Sequence, residues 1–266
     1  MTDLRAMLDI AQQAVDLAAE LVRTQAPGEL TAKGDRDYAS EVDYAVERAV
    51  RAFLKDKTPD VGFLGEEEGL TNGGTGSRWW TLDPVDGTVN FAHGVPLCGV
   101  SLALVEDHRP VVGVVDLPFL SARYAAADGS GASCNGQPVA VRPVTRLSDA
   151  LVSIGDYAVG EGSAPKNGAR LRLTEQLAGR ALRVRMFGSA AVDLAWLASG
   201  RTDASLTLSN QSWDMAAGIV VAREAGARVV DRDGTDHTTD SAVTIAATPG
   251  LCDELVSAVA DALAER

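Results

Sequence analysis

Leu4, Leu8, Ala11, Val15, Ala18 and Val22 recur every three or four residues and predict an amphipathic helix over 4–22. A second helix is predicted from Ser40, with Val42, Val46, Ala49, Val50 and Phe53 along its apolar side. The spacing then shortens. VGFLG (61–65) and WWTL (79–82) are brief apolar runs closed by acidic or turn residues, and both read as strands. CGVSLALVE (98–106) and PVVGVVDLP (110–118), joined through the polar DHR, read as a hairpin, and 122–139 as a strand followed by glycine turns.

Past about residue 145 the rhythm becomes an alternation of strands and helices, as in α/β layers. Strands are predicted at 182–189, 202–208, 227–231 and 242–248, and helices at 190–200, 213–226 and 252–265. GEGSAPKNG (160–168) is the most loop-like insertion, and NGGTGS (72–77) reads as a flexible connection. The change of rhythm divides the chain into an α+β half, 1–145, and an α/β half, 146–266.

Composition narrows the function classes. A chain of 266 residues can bury one large core or two small ones, and 46% hydrophobic with 23% charged residues is ordinary for a globular protein. The formal charge of −13 argues against a general basic surface for nucleic acid or anionic membrane. A small phosphorylated substrate stays open, provided a cation supplies the local positive charge. Cys98, Cys134 and Cys252 are odd in number and widely spaced, which suits reduced thiols better than disulfides or a zinc site. His93, His108 and His237 lack zinc-hydrolase spacing. Neither a signal-peptide pattern nor an apolar run of roughly 20 residues is visible, so a cytoplasmic protein is expected.

Three acidic clusters stand at the ends of strands or the starts of helices: Glu66 and Glu67 in GEEEG, Asp83 and Asp86 in DPVDGT, and Asp214 in SWDMAAG. Each also has a plain reading. The glutamates suit a solvated loop, Asp214 suits a helix N-cap, and Asp43 suits a capping box with Ser40. DPVDGT resists such a reading. A turn accounts for Pro84 and Gly87, but not for two carboxylates three apart with a carbonyl between them and a hydroxyl after the glycine. Converging carboxylates repel by roughly 4 kcal/mol per pair at 4 Å with an effective dielectric of 20, so they need a cation. Magnesium suits an all-oxygen donor set. The amides of Gly87 and Thr88 would face outward at a helix start, where phosphate binds. A calcium EF-hand, a haloacid-dehalogenase type aspartyl-phosphate site and a P-loop all fail on spacing.

GEE, DPVDGT and WDMAAG, in this order, together with KGDRDYASEVD and GSAAVDLAWLASGRTDA, make the chain resemble the inositol monophosphatase family. The resemblance spans nearly the whole chain. It implies an αβαβα sandwich of the inositol monophosphatase and fructose-1,6-bisphosphatase type, commonly dimeric. It implies two or three Mg²⁺ ions, lithium sensitivity, and hydrolysis of a small phosphate monoester by metal-activated water. Glu66, Asp83 and the Val85 carbonyl match ligands of a first ion, and Asp83, Asp86 and Asp214 those of a second. Thr88 and Asp43, with Glu66, match the groups that orient the attacking water; Glu67 matches a supporting acidic residue, and Lys33 a basic residue near a looser third metal. Asp86, Gly87, Thr88, Gly188, Ser189 and Ala190 match the substrate contacts. The family's acidic polyol contact is replaced by Thr207, which cannot offer a diol two carboxylate oxygens. That departure argues against strict inositol selectivity, and the resemblance makes inositol 1-phosphate the first expectation. Histidinol phosphate, a broader set of sugar phosphates and a catalytically silent metal-binding partner remain alternatives. A bisphosphate nucleotide is disfavoured, because no basic or aromatic subsite for a second phosphate and a base is visible in the sequence.

Overall fold

The computed structural model describes residues 3–35, 37–71 and 77–264. Residues 72–76, most of the expected flexible connection, and Arg36 lie outside the described residues. The chain opens with α1 (Leu4–Thr24), where Asp3 caps the helix by accepting from the backbone N–H of Arg5 at 3.1 Å. A hairpin of β1 (Leu30–Gly34) and β2 (Asp37–Ser40) precedes α2 (Glu41–Lys57). Next come β3 (Gly62–Gly65), β4 (Gly69–Thr71), β5 (Arg78–Asp86), the short α3 (Thr88–Ala92), β6 (Gly99–Glu106) and β7 (Arg109–Leu117). β8 (Ala122–Ala127), β9 (Ala132–Cys134) and β10 (Gln137–Pro138) extend this sheet. The remaining elements are β11 (Leu151–Ile154), α4 (Ser163–Ala178), β12 (Arg183–Arg185), α5 (Ala190–Ala198) and β13 (Ala204–Thr207). They are followed by α6 (Ser212–Glu224), β14 (Arg228–Val230), β15 (Thr244–Ala247) and α7 (Cys252–Leu263).

The larger sheet runs β10-β9-β8-β7-β6-β5-β3-β4 and the smaller one β12-β11-β13-β15-β14. Strand alternation sorts side chains between layers. On β6, Leu102 and Leu104 join α1 and α2 in one core, while Ala103 and Val105 face α5 and α6 in another. Leu194, Met215 and Ile219 carry those two helices onto the smaller sheet through Val229 and Ala246. α4 and α7 cover the far face of that sheet, with Leu173, Leu177, Leu255 and Val259 buried against it. The five layers are thus helix, sheet, helix, sheet, helix. The protein has an α/β fold of mixed sheets, and α5 and α6 form the central layer.

The structure departs from the sequence expectations in several places; β4 and β11, for example, were not anticipated. A helix begins at Ser163, inside the predicted insertion, and the strand expected over 182–189 is limited to Arg183–Arg185. The β1–β2 hairpin was not anticipated, since β1 is exposed along its length and carries no apolar alternation. Cys98, Cys134 and Cys252 are free thiols. Among the described residues no helix is long and apolar enough to cross a membrane.

The central layer meets the larger sheet at a very short distance. A Cβ added to Gly113 on β7 would lie 2.4 Å from the backbone carbonyl oxygen of Ala217 on α6. Backbone cannot yield as a side-chain tip does. Gly113→Ala is expected to destabilise the fold by about 1–3 kcal/mol in chemical unfolding. Gly168→Ala on α4, whose Cβ would meet only the Arg172 Nη1 at 3.4 Å, should be neutral or stabilising.

Candidate active site

Four segments bring the acidic clusters to one place. The first follows β3, where Glu66 and Glu67 enter a turn whose backbone is held from below by Glu47 of α2. Glu47 is buried, and its carboxylate accepts the N–H groups of Glu67 at 2.8 Å and Glu68 at 3.0 Å. Arg51, one helical turn on, pairs with Glu47. Gly65 is required here because any Cβ would occupy the space of the Glu47 carboxylate.

The second segment is the end of β5. Its pairing with β6 slips between Asp83, opposite Ser101, and Asp86, opposite Gly99, so that Pro84 and Val85 bulge against Val100. A proline, having no N–H for the ladder, is suited to that bulge. The Val85 N–H donates to Asp83 Oδ1 at 3.0 Å, closing a tight local turn. Gly87 then takes a left-handed φ of 88°, and α3 starts at Thr88 as expected. The Thr88 hydroxyl faces two acceptors, the Val85 carbonyl at 3.1 Å and Asp43 Oδ1 at 3.2 Å. Asp43 itself closes the predicted capping box, accepting the Ser40 N–H at 2.8 Å with its other oxygen.

The third segment is the start of α5. Ser189 caps that helix, accepting the Val192 N–H at 3.2 Å, and its hydroxyl donates to Asp86 Oδ2 at 2.7 Å. The Ala191 N–H donates to the same carboxylate oxygen. Asp86 is therefore aimed by a helix N-terminus that also favours its charge. Asn90 fixes the approach to this point, donating to the carbonyls of Leu97 at 2.8 Å and Phe187 at 2.7 Å. The fourth segment is the first turn of α6. The helix begins at Ser212, so Asp214 lies within its first turn and not at the N-cap. Ser101 of β6 anchors that turn through the Trp213 carbonyl at 3.1 Å.

Glu66, Asp83 and Asp214 meet with one carboxylate oxygen each, all within 4.8 Å of one another. Asp86 stands beside this group and shares a cavity of about 430 Å³ with Asp214, Thr207, Gly188, Ser189 and Ala190. Lys33, from β1, reaches across to Glu66 Oε1 at 2.5 Å and Glu67 Oε1 at 2.9 Å. Lys33 and Glu67 therefore adjoin Glu66, the cavity wall of Gly188, Ser189 and Ala190 adjoins Asp86, and Thr88 and Asp43 join the β5 turn through the Val85 carbonyl. A larger depression, about 560 Å³ near Asp116 and Arg123, lies away from these acids.

Burial and mutual repulsion of the acids dominate the electrostatics of the site. Burial, and then the charges of Glu66, Asp86 and Asp214, hold the Asp83 carboxyl well above the usual range. Burial raises Asp86 to about 6, although the hydrogen bonds from Ala191 and Ser189 pull the other way. Burial likewise raises Glu67 to about 7, against its hydrogen bond from Lys33. Burial opposes the charge on Lys33, yet Glu66 and Glu67 together raise its pKa above that of an ordinary lysine. The donor set is entirely oxygen, and Glu67 Oε2 is buried without a hydrogen-bond partner. Both features fit a hard divalent cation.

The sequence profile of the inositol monophosphatase family matches residues 3–264. The chain belongs to the inositol monophosphatase family. Its relatives in the family include the inositol-1-monophosphatase of Mesorhizobium japonicum, 35% identical over 239 residues, covering 90% of this chain and 88% of that protein. The fructose-1,6-bisphosphatase/inositol-1-monophosphatase of Thermotoga maritima is 33% identical over 232 residues, covering 87% and 86%. The fold matches the crystal structure of the extragenic suppressor protein suhB from Bartonella henselae with a TM-score of 0.88. That match has 33% identity and covers 96% of this chain and 98% of the other. The family is one of metal-dependent phosphatases, and this member is a phosphoric monoester hydrolase.

Glu47 and Asn90, which support the site, and Asp193 and Arg170, which line the cavity beside it, are residues that the sequence reading did not single out. Glu47 and Arg51 look like an ordinary solvated i,i+4 pair along a helix, and only the fold places them under the Glu66–Glu68 turn. Glu47→Ala strips two backbone N–H groups and the Arg51 side chain of their acceptor. The expected cost is about 2–4 kcal/mol in denaturant unfolding, with weaker binding of a divalent cation measured by titration calorimetry.

The raised carboxyls give a second expectation. A carboxyl with a folded pKa above its unfolded value contributes stability below the unfolded pKa and surrenders it as pH rises through the folded one. Asp86 and Glu67 therefore cost the metal-free protein stability as pH rises from about 4 towards about 6 and 7. A cation favours the deprotonated site. The rise in unfolding midpoint produced by a saturating divalent cation should be larger at about pH 8 than at about pH 5. Thermal scans with and without chelator check this.

Proposed function

We propose that this enzyme hydrolyses a small polyol phosphate monoester, with inositol 1-phosphate the first candidate and magnesium the cation. The observation that carries the proposal is the convergence of Glu66, Asp83 and Asp214 within 4.8 Å, with Asp86 beside them. Glu66, Asp83 and the Val85 carbonyl would hold one ion; Asp83, Asp86 and Asp214 would hold another. Glu67 and Lys33 border the outer side of the first. When bound, such ions supply the Lewis-acid charge that activates water and stabilises the phosphoryl oxygens.

The protein's own groups supply orientation and proton handling. The Thr88 hydroxyl hydrogen is directed towards Asp43 and the Val85 carbonyl, which leaves the Thr88 oxygen to accept from a water molecule. Burial raises the Asp43 pKa, although hydrogen bonds from Ser40 pull it down, and this makes Asp43 a better proton acceptor in the relay. Asp86 has one oxygen committed to Ser189 and Ala191, so the other is directed to the reacting group. Gly188, Ser189 and Ala190 line the cavity beside it and border the alcohol portion of the substrate. Thr207 lines the same cavity as a neutral contact, which supports a polyol range wider than inositol alone.

Purified enzyme assayed against a panel of phosphate monoesters should release phosphate only with magnesium present. Asp83→Asn should lower kcat by at least about 10²–10³-fold, since a carboxylate shared between two cations becomes a neutral ligand. The unfolding midpoint of metal-free Asp83→Asn should be unchanged or higher, because the substitution removes one of several repelling buried charges. Full turnover by this variant in magnesium would refute the assignment.

A further inference from the structure

The cavity beside the acidic cluster contains a cation that hydrolysis itself does not use. Arg170, on α4, is only 7% exposed and lines the same 430 Å³ space as Asp86 and Asp214. Its Nη2 donates to the Ser209 hydroxyl at 2.8 Å. No carboxylate among the described residues is within ion-pair distance of this guanidinium; Asp156, across the cavity lining, acts on it only at longer range. Burial lowers the Arg170 pKa and Asp156 offsets that only in part, so the charge is under-compensated. Asp156 shows the complementary imbalance, since burial raises its pKa in spite of Arg170.

A guanidinium stays protonated and presents several planar donors, so a buried one without an ion pair needs an anion or a set of strong acceptors. The neighbouring wall is built to stay in place. Asn167, three residues before Arg170 on α4, accepts the Ala158 N–H at 2.7 Å and donates to the Ala158 carbonyl at 2.9 Å. This clamp ties residues 156–159 to the helix that carries Arg170. The cavity therefore presents acids that suit the phosphoryl end of a substrate, together with one fixed cation that those acids do not neutralise.

We infer that Arg170, oriented by Ser209, recognises a second acidic group on the substrate, a phosphate or carboxylate separate from the phosphoryl group that is cleaved. This rests on the phosphatase reading above and names the substrate class more closely. It supplies the basic subsite that was not visible in the sequence, and it disfavours an amino-alcohol phosphate such as histidinol phosphate, whose ammonium the guanidinium would repel. Arg170 is a specificity determinant; it takes no part in the bond-breaking step.

Two matched pairs of substrates separate the sources of the anion. Fructose 1,6-bisphosphate and fructose 1-phosphate differ by a second phosphate; 6-phosphogluconate and sorbitol 6-phosphate differ by a carboxylate. Phosphate release by the magnesium-loaded full chain is expected to show a preference, in kcat/KM, for the anion-bearing member of at least one pair. In Arg170→Gln that preference should fall about 10- to 100-fold, the range for a charge-assisted hydrogen bond, mainly through KM, while the matched neutral substrate changes little. Arg170→Lys should recover part of it. Ser209→Ala, which leaves the buried charge in place, should lose a smaller part. Equal turnover of both members of both pairs by the wild type overturns the inference and leaves the phosphatase reading standing. An equal loss on both members in Arg170→Gln overturns it too, because that is the signature of a structural role. If no ester in the panel is hydrolysed, inositol 1-phosphate included, the phosphatase reading fails and the inference falls with it.

Discussion

Like-charge repulsion among Glu66, Asp83, Asp86 and Asp214 is the constraint to which the rest of this structure answers. Carboxylates this close, and partly out of water, would swing apart or take up protons if their backbones were free. Each is instead fixed by a group with no other evident task. Glu47 pins the turn that carries Glu66, the β5 bulge fixes Asp83, the α5 N-terminus grips Asp86, and Ser101 holds the start of α6 with Asp214. Among the described residues, Lys33 is the lysine that pairs with Glu66 and Glu67.

The supports are of unequal kinds, which has a physical basis. Backbone amides and helix ends hold acids without introducing a competing full charge, so they suit Asp86 and Asp83, which lie deepest. Glu47 works in the opposite sense. Being an acid itself, it could not support the turn by touching the other carboxylates, so it grips the backbone N–H groups and takes its own counter-charge from Arg51. The acidic cluster thus has a second acidic layer beneath it that is already neutralised.

Much of this was legible in the chain. The apolar spacing of α1, the alternation in the β6–β7 hairpin and the DPVDGT turn each depend on local chemistry, and each was found where expected. What was missed lacks a local signature. β1 carries exposed residues only, and α4 is a polar helix whose start contains glycine, proline and lysine, so neither advertises its element by periodicity. Strand character expected at 186–189 gives way because Ser189 caps α5 and donates to the Asp86 carboxylate, a contact 103 residues away in sequence. Arg170 and Glu47 read as surface charges on helices; only the layer packing decides that one faces the cavity and the other lies under a turn.

The placement of α6 has a wider consequence. Asp214 stands on a helix wedged between both sheets, with Gly113 allowing backbone to touch backbone, whereas Arg170 stands on α4 in the outermost helical layer and the 155–159 wall is the loop that leads towards it. Changes at the periphery can therefore reshape what the pocket admits without moving the groups that break the ester. Selectivity in such an architecture is free to drift while reactivity stays anchored, and descendants of one scaffold can diverge in diet before they diverge in chemistry.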